Sequence, residues 1–245
     1  MSNFIILNKP HYSTNIQREL IQLSDDELAE ELFYSTDWFT DELFEARTDL
    51  SMSIGAEYSR LMVDYEKINN IKEPGNAIGR GVLYTHNYQG KLMRLIDDKS
   101  NKFLASYEKR LKFFNEQISL AESFFDEVII IDCHSFDTHY TNVVNNTPGM
   151  KHPDICIGYN EKNCNLLKIQ ELKEHFKSLG YSVNLNFPFS GSYLPEYNIE
   201  NPNVFTVMIE VNKDLYMSKD GFVPLKKDSF NKLKEDITNG IMIFA

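Results

Sequence analysis

The chain has 245 residues, 42% of them hydrophobic, which suffices for one sizeable core, so a single domain over 1–245 is expected. Lys and Arg total 25 against 36 Asp and Glu, and the net charge of −11 offers no electrostatic footprint for nucleic acid or an anionic membrane. There is no basic-then-apolar leader and no run near the roughly 18 apolar residues a membrane span needs, so a soluble, cytoplasmic protein is expected. Cys133, Cys156 and Cys164 are odd in number and form no CxxC pair, which argues for reduced thiols rather than a disulfide framework or a thiol zinc finger.

In chain order, "FIIL" at 4–7 reads as a strand running into "NKPHYST", which delivers His11 just beyond its end. "SDDELAEELFYSTDWFTDELFEA" opens a helix on Ser24 as N-cap with acids in the first turn, and "YSTDW" is a candidate interruption. Asp37 and Asp41 lie one helical turn apart in it. "EYSRLMVDYEK" sets Arg60 and Asp64 at helical or strand-end spacing, readable as a surface ion pair or as an arginine fork for a carboxylate or oxyanion. Residues 65–91 hold much of the glycine and read as a long ordered loop, and residues 92–125 carry the longest helical pattern.

The run "VIIID" from 128 is a buried strand that ends in Cys133, His134 and Ser135, with Asp132 expected to point away from His134 and to be structural. "ICIGY" and "YSVNLNF" add strands around a helix that closes on Gly180, and residues 186–203 form a second long loop rich in Pro, Asn and aromatics. "VFTVMIEV" buries Glu210 inside an apolar strand, where it is either paired or facing a site that raises its pKa. Strands alternating with helices imply an α/β layered fold with a mixed, mostly parallel sheet. His11 and His134 then both lie at strand ends, where open sheets bind ligands, and each is readable as a structural histidine or as a metal ligand. No GxGxxG, GxxxxGK, GxSxG or HExxH is present, which removes the usual supports for dinucleotide, P-loop, serine-hydrolase and thermolysin-like chemistry.

Taken together, "KPHYS", "STDWFTDELF", "YSRLMVD", "DCHS", "PDICIG", "NFPFSGSY" and "VMIEVNKDLYM" resemble, in order and approximate spacing, the N-formylglutamate amidohydrolases, from residue 4 to about 217. The resemblance implies a three-layer α/β sandwich like that of zinc carboxypeptidases and aspartoacylases, one Zn2+ per chain, and hydrolysis of an amide beside a carboxylate. By the same resemblance His11, Asp37 and His134 would be the metal ligands, with Asp41 a competitor for the third place, because related peptidases carry a Glu where this chain has Thr14. Glu210 would be the general base and acid. Arg60, Asn186, Gly191 and Tyr193 would bind the substrate, an N-formyl or N-acyl amino acid or a short peptide, with Arg60 also able to hold the oxyanion. The chain departs from the pattern around the pocket: Tyr12 and Ser13 follow His11 where relatives have Ser and Gly, no His accompanies Tyr107, and His86 replaces a Thr-rich segment. Two rival readings are a cysteine hydrolase using Cys133 with His134, disfavoured because adjacent strand residues point to opposite faces, and an inactive small-molecule or partner-binding module on the same fold.

Overall fold

A computed structural model describes residues 2–245, so only Met1 of the expected domain lies outside the described residues. In chain order the regular elements are β1 (Asn3–Asn8), α1 (Asp25–Ser35), α2 (Thr40–Leu43), β2 (Ser51–Ile54), α3 (Asn101–Glu122), β3 (Glu127–Phe136), α4 (Thr138–Val144), β4 (Ile155–Gly158), α5 (Leu166–Ser178), β5 (Val183–Leu185), β6 (Val204–Asn212), β7 (Met217–Asp220), β8 (Val223–Lys226) and α6 (Phe230–Ile241). Among the described residues six strands make one sheet in the order β2-β1-β3-β6-β4-β5, and β7 and β8 form a separate hairpin. β2, β1, β3 and β6 run parallel; β4 is antiparallel to β6 and parallel to β5. The result is the mixed, mostly parallel sheet between helices that the sequence implies.

The period of two along β3 decides which residues meet which layer. Ile129, Ile131 and Cys133 face a core shared with α5 and α6, whereas Val128 and Ile130 face α3 through Phe114, Ile118 and Ala121. The three isoleucines are at most 3% exposed, so each contributes about 1.5–3 kcal/mol of apolar burial. On the α3 face the apolar positions give way at Asp132 and His134, level with Met208 and Glu210 of β6. These polar residues line a cavity at the carboxyl ends of β1, β3 and β6.

Helix α1 starts where expected, with Ser24 and Glu27 forming a reciprocal capping box. It stops at Ser35, because Asp37 turns its N–H to the His11 carbonyl at 3.0 Å instead of back into the helix. Phe39, at φ 63°, then starts the separate short α2. The helical pattern from 92 begins later than expected, at Asn101. Buried Arg94 donates to the carbonyls of Tyr84 and Met62, and Met93 pairs its N–H with Thr85, so tertiary contacts override helical propensity there. Gly180, at φ 93°, follows α5 as the left-handed residue that its place in the sequence requires. Among the described residues no helix is long and apolar enough to cross a membrane.

Candidate active site

Four segments bring the two imidazoles and the acids beside them to the cavity, which measures about 1040 Å³. His11 arrives from the turn after β1, Asp37 from the break between α1 and α2, Asp64 and Glu66 from the irregular segment after β2, and Asp132 and His134 from β3. The two imidazoles are 3% and 4% exposed and face each other, with Nδ1 atoms 3.3 Å apart. Asp37 Oδ2 lies 3.0 Å from His134 Nδ1 and 3.8 Å from His11 Nδ1, and it also accepts from the Ser135 N–H. On the far side of the rings, His11 Nε2 is 2.9 Å from Asp64 Oδ1, and His134 Nε2 is 3.0 Å from Asp132 Oδ1 and 3.2 Å from Glu66 Oε2.

Asp132 therefore shares the face of His134, contrary to expectation: two positions along a strand return a side chain to the same side. Asn8 Nδ2 donates to both Asp132 and Glu66, and Arg110 supports Asn8 from behind. Arg60 and Asp64 form an ion pair at 3.0 Å with Asp64 fully buried and Arg60 half-buried at the cavity, rather than a surface pair, and the Tyr84 hydroxyl also donates to Asp64 at 2.6 Å. Glu210 is 7% exposed, and its Oε2 has no hydrogen-bond partner. Gly191 and Tyr193 line the cavity. Asn186 instead holds the loop behind them, its Oδ1 accepting from the N–H groups of Tyr159 and Gly191. Asp41 is exposed and outside the cavity, with its carbonyl accepting from Lys9. Cys133 lies on the opposite face in the apolar core, where burial pushes its thiol well above the usual range.

The charges explain the titration behaviour. Burial opposes protonation of His134, but Glu66 and Asp132 hold it well above the ordinary imidazole range. His11 is likewise raised, Asp64 and Asp37 outweighing burial and the Arg60 charge. Burial would raise Asp37, yet its bonds to the two imidazoles hold it far below the usual carboxylate range. Glu66 is raised by burial and by Asp132. Burial pushes Glu210 up to about 8, against the attraction of His134 and with the repulsion of Asp37.

Five acids, Asp37, Asp64, Glu66, Asp132 and Glu210, thus surround two imidazoles and the Arg60 guanidinium; with both rings neutral, as metal ligation requires, the three acids held ionised, Asp37, Asp64 and Asp132, outnumber that one cation. A buried negative excess of this kind suits a divalent cation. His11, Glu66 and His134 offer ligand atoms within 4.8 Å of one another and could hold a metal ion. The Nδ1, Nδ1 and Asp37 Oδ2 atoms form a second triangle, with edges of 3.3, 3.0 and 3.8 Å. Tetrahedral zinc with bonds of 2.0–2.1 Å needs edges of roughly 3.3–3.4 Å, so these residues fit the ion.

Glu66, Tyr84 and Arg80 escape sequence reasoning as site residues, and Asp64 enters it only as the partner of Arg60. For Glu66 a signal exists in its two-residue offset from Asp64; Arg80 shows only as a lone cation between glycines, and nothing in the sequence pairs it with Glu31 at 3.2 Å.

Comparison with known proteins agrees with this architecture. The N-formylglutamate amidohydrolase family model matches residues 4–217. A crystal structure of N-formylglutamate amidohydrolase from Ralstonia eutropha superimposes with a TM-score of 0.78 at 15% identity, over 96% of this chain and 90% of that one. A gene product of Agrobacterium tumefaciens superimposes with a TM-score of 0.60 at 15% identity, over 97% and 90%. At such identities the structural likeness speaks for the fold alone. No curated protein matches the chain by sequence. The family match spans most of the chain and takes in both histidines, Asp37, Arg60 and Glu210, and on that extent the chain belongs to the N-formylglutamate amidohydrolase family.

Proposed function

We propose that the protein is a metal-dependent amidohydrolase that cleaves the N-formyl or N-acyl amide of an amino acid, with His11, Asp37 and His134 holding one divalent ion, best zinc. The observation that carries this reading is the buried triangle of two Nδ1 atoms and Asp37 Oδ2, set in the same cavity as the unpartnered Glu210 carboxyl. Asp37 is preferred to Glu66 as third ligand because binding through Nδ1 leaves the Nε2–H of His11 to donate to Asp64 and that of His134 to Asp132. That is the pattern that orients metal-bound imidazoles. Binding through Nε2 would remove both bonds.

Such an ion supplies Lewis acidity, which polarises an acyl carbonyl and acidifies water. Glu210 would accept the proton of the attacking water at its free Oε2 and return it to the leaving nitrogen; burial raises its basicity in the metal-free protein, and a cation bound beside it favours the ionised form that this role requires. Arg60 keeps a buried, unpartnered Nε beside its bond to Asp64, so its guanidinium retains capacity for a substrate carboxylate or a developing oxyanion. Asp64 and Tyr84 fix its orientation. Gly191 and Tyr193 contribute to the wall that bounds the substrate and limits water.

The test is elemental mass spectrometry of the purified protein, followed by amine release from a panel of N-formyl and N-acyl amino acids. We expect about one zinc per chain and turnover that a chelator abolishes and zinc restores. Bound metal without turnover on the whole panel would leave a binding module. Turnover by metal-free protein, blocked by thiol alkylation, would overturn the reading.

A further inference from the structure

The cavity is much larger than the smallest substrate the proposed chemistry requires. An N-formyl amino acid has about a dozen non-hydrogen atoms, whereas pockets of roughly 300–1,000 Å³ enclose drug-sized ligands. The cavity here, at about 1040 Å³, is at the top of that range. Exposed apolar side chains from separate segments line its outer part. Ile78 is 58% exposed and Tyr197 85%, and Ile68, Val144 and Ile199 join them on the rim. They come from three separate segments: the 65–80 loop, α4 and the 195–199 turn. Deeper in the same cavity, Ser192 Oγ and Arg60 Nε are buried without any hydrogen-bond partner. An unpaired buried polar atom is costly unless a ligand completes it.

An apolar rim around unsatisfied polar atoms matches a ligand that alternates the two characters, as a peptide does: amides for the inner atoms, side chains for the rim. We infer that the preferred substrate is a short peptide carrying apolar side chains, from which the site releases the carboxyl-terminal amino acid, rather than an N-formyl amino acid. This rests on the hydrolytic reading above. In the reaction, water adds to the carbonyl carbon of the last peptide bond and the C–N bond breaks. The products are the shortened peptide carboxylate and a free amino acid whose amine has taken the proton from water.

The experiment compares kcat/KM of the zinc-loaded enzyme on three substrates that share one leaving amino acid: N-formyl-glutamate, N-acetyl-glutamate and N-acetyl-alanyl-phenylalanyl-glutamate. We expect the peptide to exceed the formyl compound by at least tenfold, as seating one apolar side chain supplies. Tyr197→Ala and Ile78→Ser, both at exposed positions, should lower the ratio of peptide to formyl turnover. Formyl turnover equal to or above that of the peptide overturns the inference and leaves the amidohydrolase standing. A ratio that neither rim substitution moves also overturns it. Loss of turnover on all three by zinc-loaded protein refutes the hydrolytic reading, and the inference with it.

Discussion

Asp132 and Cys133 are neighbours in sequence and strangers in space. The carboxylate lies against His134 in the cavity, while the thiol donates to the Ile131 carbonyl inside the apolar core. Strand alternation makes that division legible, and the same rule, applied at a spacing of two, also returns Asp132 to the histidine's side. Asp64 reads in the sequence only as the partner of Arg60, and Glu66 and Arg80 do not read as site residues, because irregular backbone brings them in and no period describes it. If Asp132 orients His134, Asp132→Asn should weaken zinc binding about 10- to 100-fold in a competition titration, and an unchanged affinity would assign it a purely structural place. Glu210→Gln should lower kcat by about 100- to 10,000-fold while metal content stays at the wild-type level. The same carboxyl sets a pH dependence in the metal-free protein. Folded Glu210 keeps its proton up to about 8, whereas the ordinary value is 4.5. Between those values the folded state binds more protons than the unfolded chain, so stability falls as pH rises, by an order of a few kcal/mol in all. Urea midpoints should therefore decline from pH 5 to 8 more steeply in metal-free wild type than in Glu210→Gln; parallel curves would count against the raised value.

At the scale of elements, most of the frame is written in local pattern. The strands β1, β3, β4, β5 and β6 are apolar runs, and α1 and α5 carry their own start or stop residues. β2 and the β7–β8 hairpin are short and partly exposed, too weakly apolar to stand out. The onset of α3 was misread because buried Arg94, held by two distant carbonyls, sits in a stretch whose side chains are spaced like a helix. Helix α1 does more than cover the sheet, since its last turn leads directly to Asp37. Ser24→Ala removes its capping box and should cost about 1 kcal/mol, lowering Tm by roughly 2–4 °C in a chain of this size. A scanning calorimetry trace without a shift would show the cap to be redundant.

For the whole molecule, the sheet brings together groups that the sequence scatters. A cation bound only by the folded state adds about 2.7 kcal/mol at a free concentration a hundred times its Kd. Chelation should therefore lower Tm by roughly 5–10 °C, given the 2–4 °C per kcal/mol typical of this size. An identical melt with and without chelator would show that the acids and imidazoles are content without an ion. The pairing of β1 with β3 sets Asn8 beside Asp132 at a sequence separation of 124. Such distant partners meet late, because the loop entropy must be lost before the contact repays it. His134 rides on β3 and His11 on the turn just after β1, so the proposed cation would have no complete place to land until this longest of the strand closures is made. Such a cation would act in time as a latch rather than as a template: ions added during refolding should leave the rate of forming the native sheet unchanged and slow only its reopening.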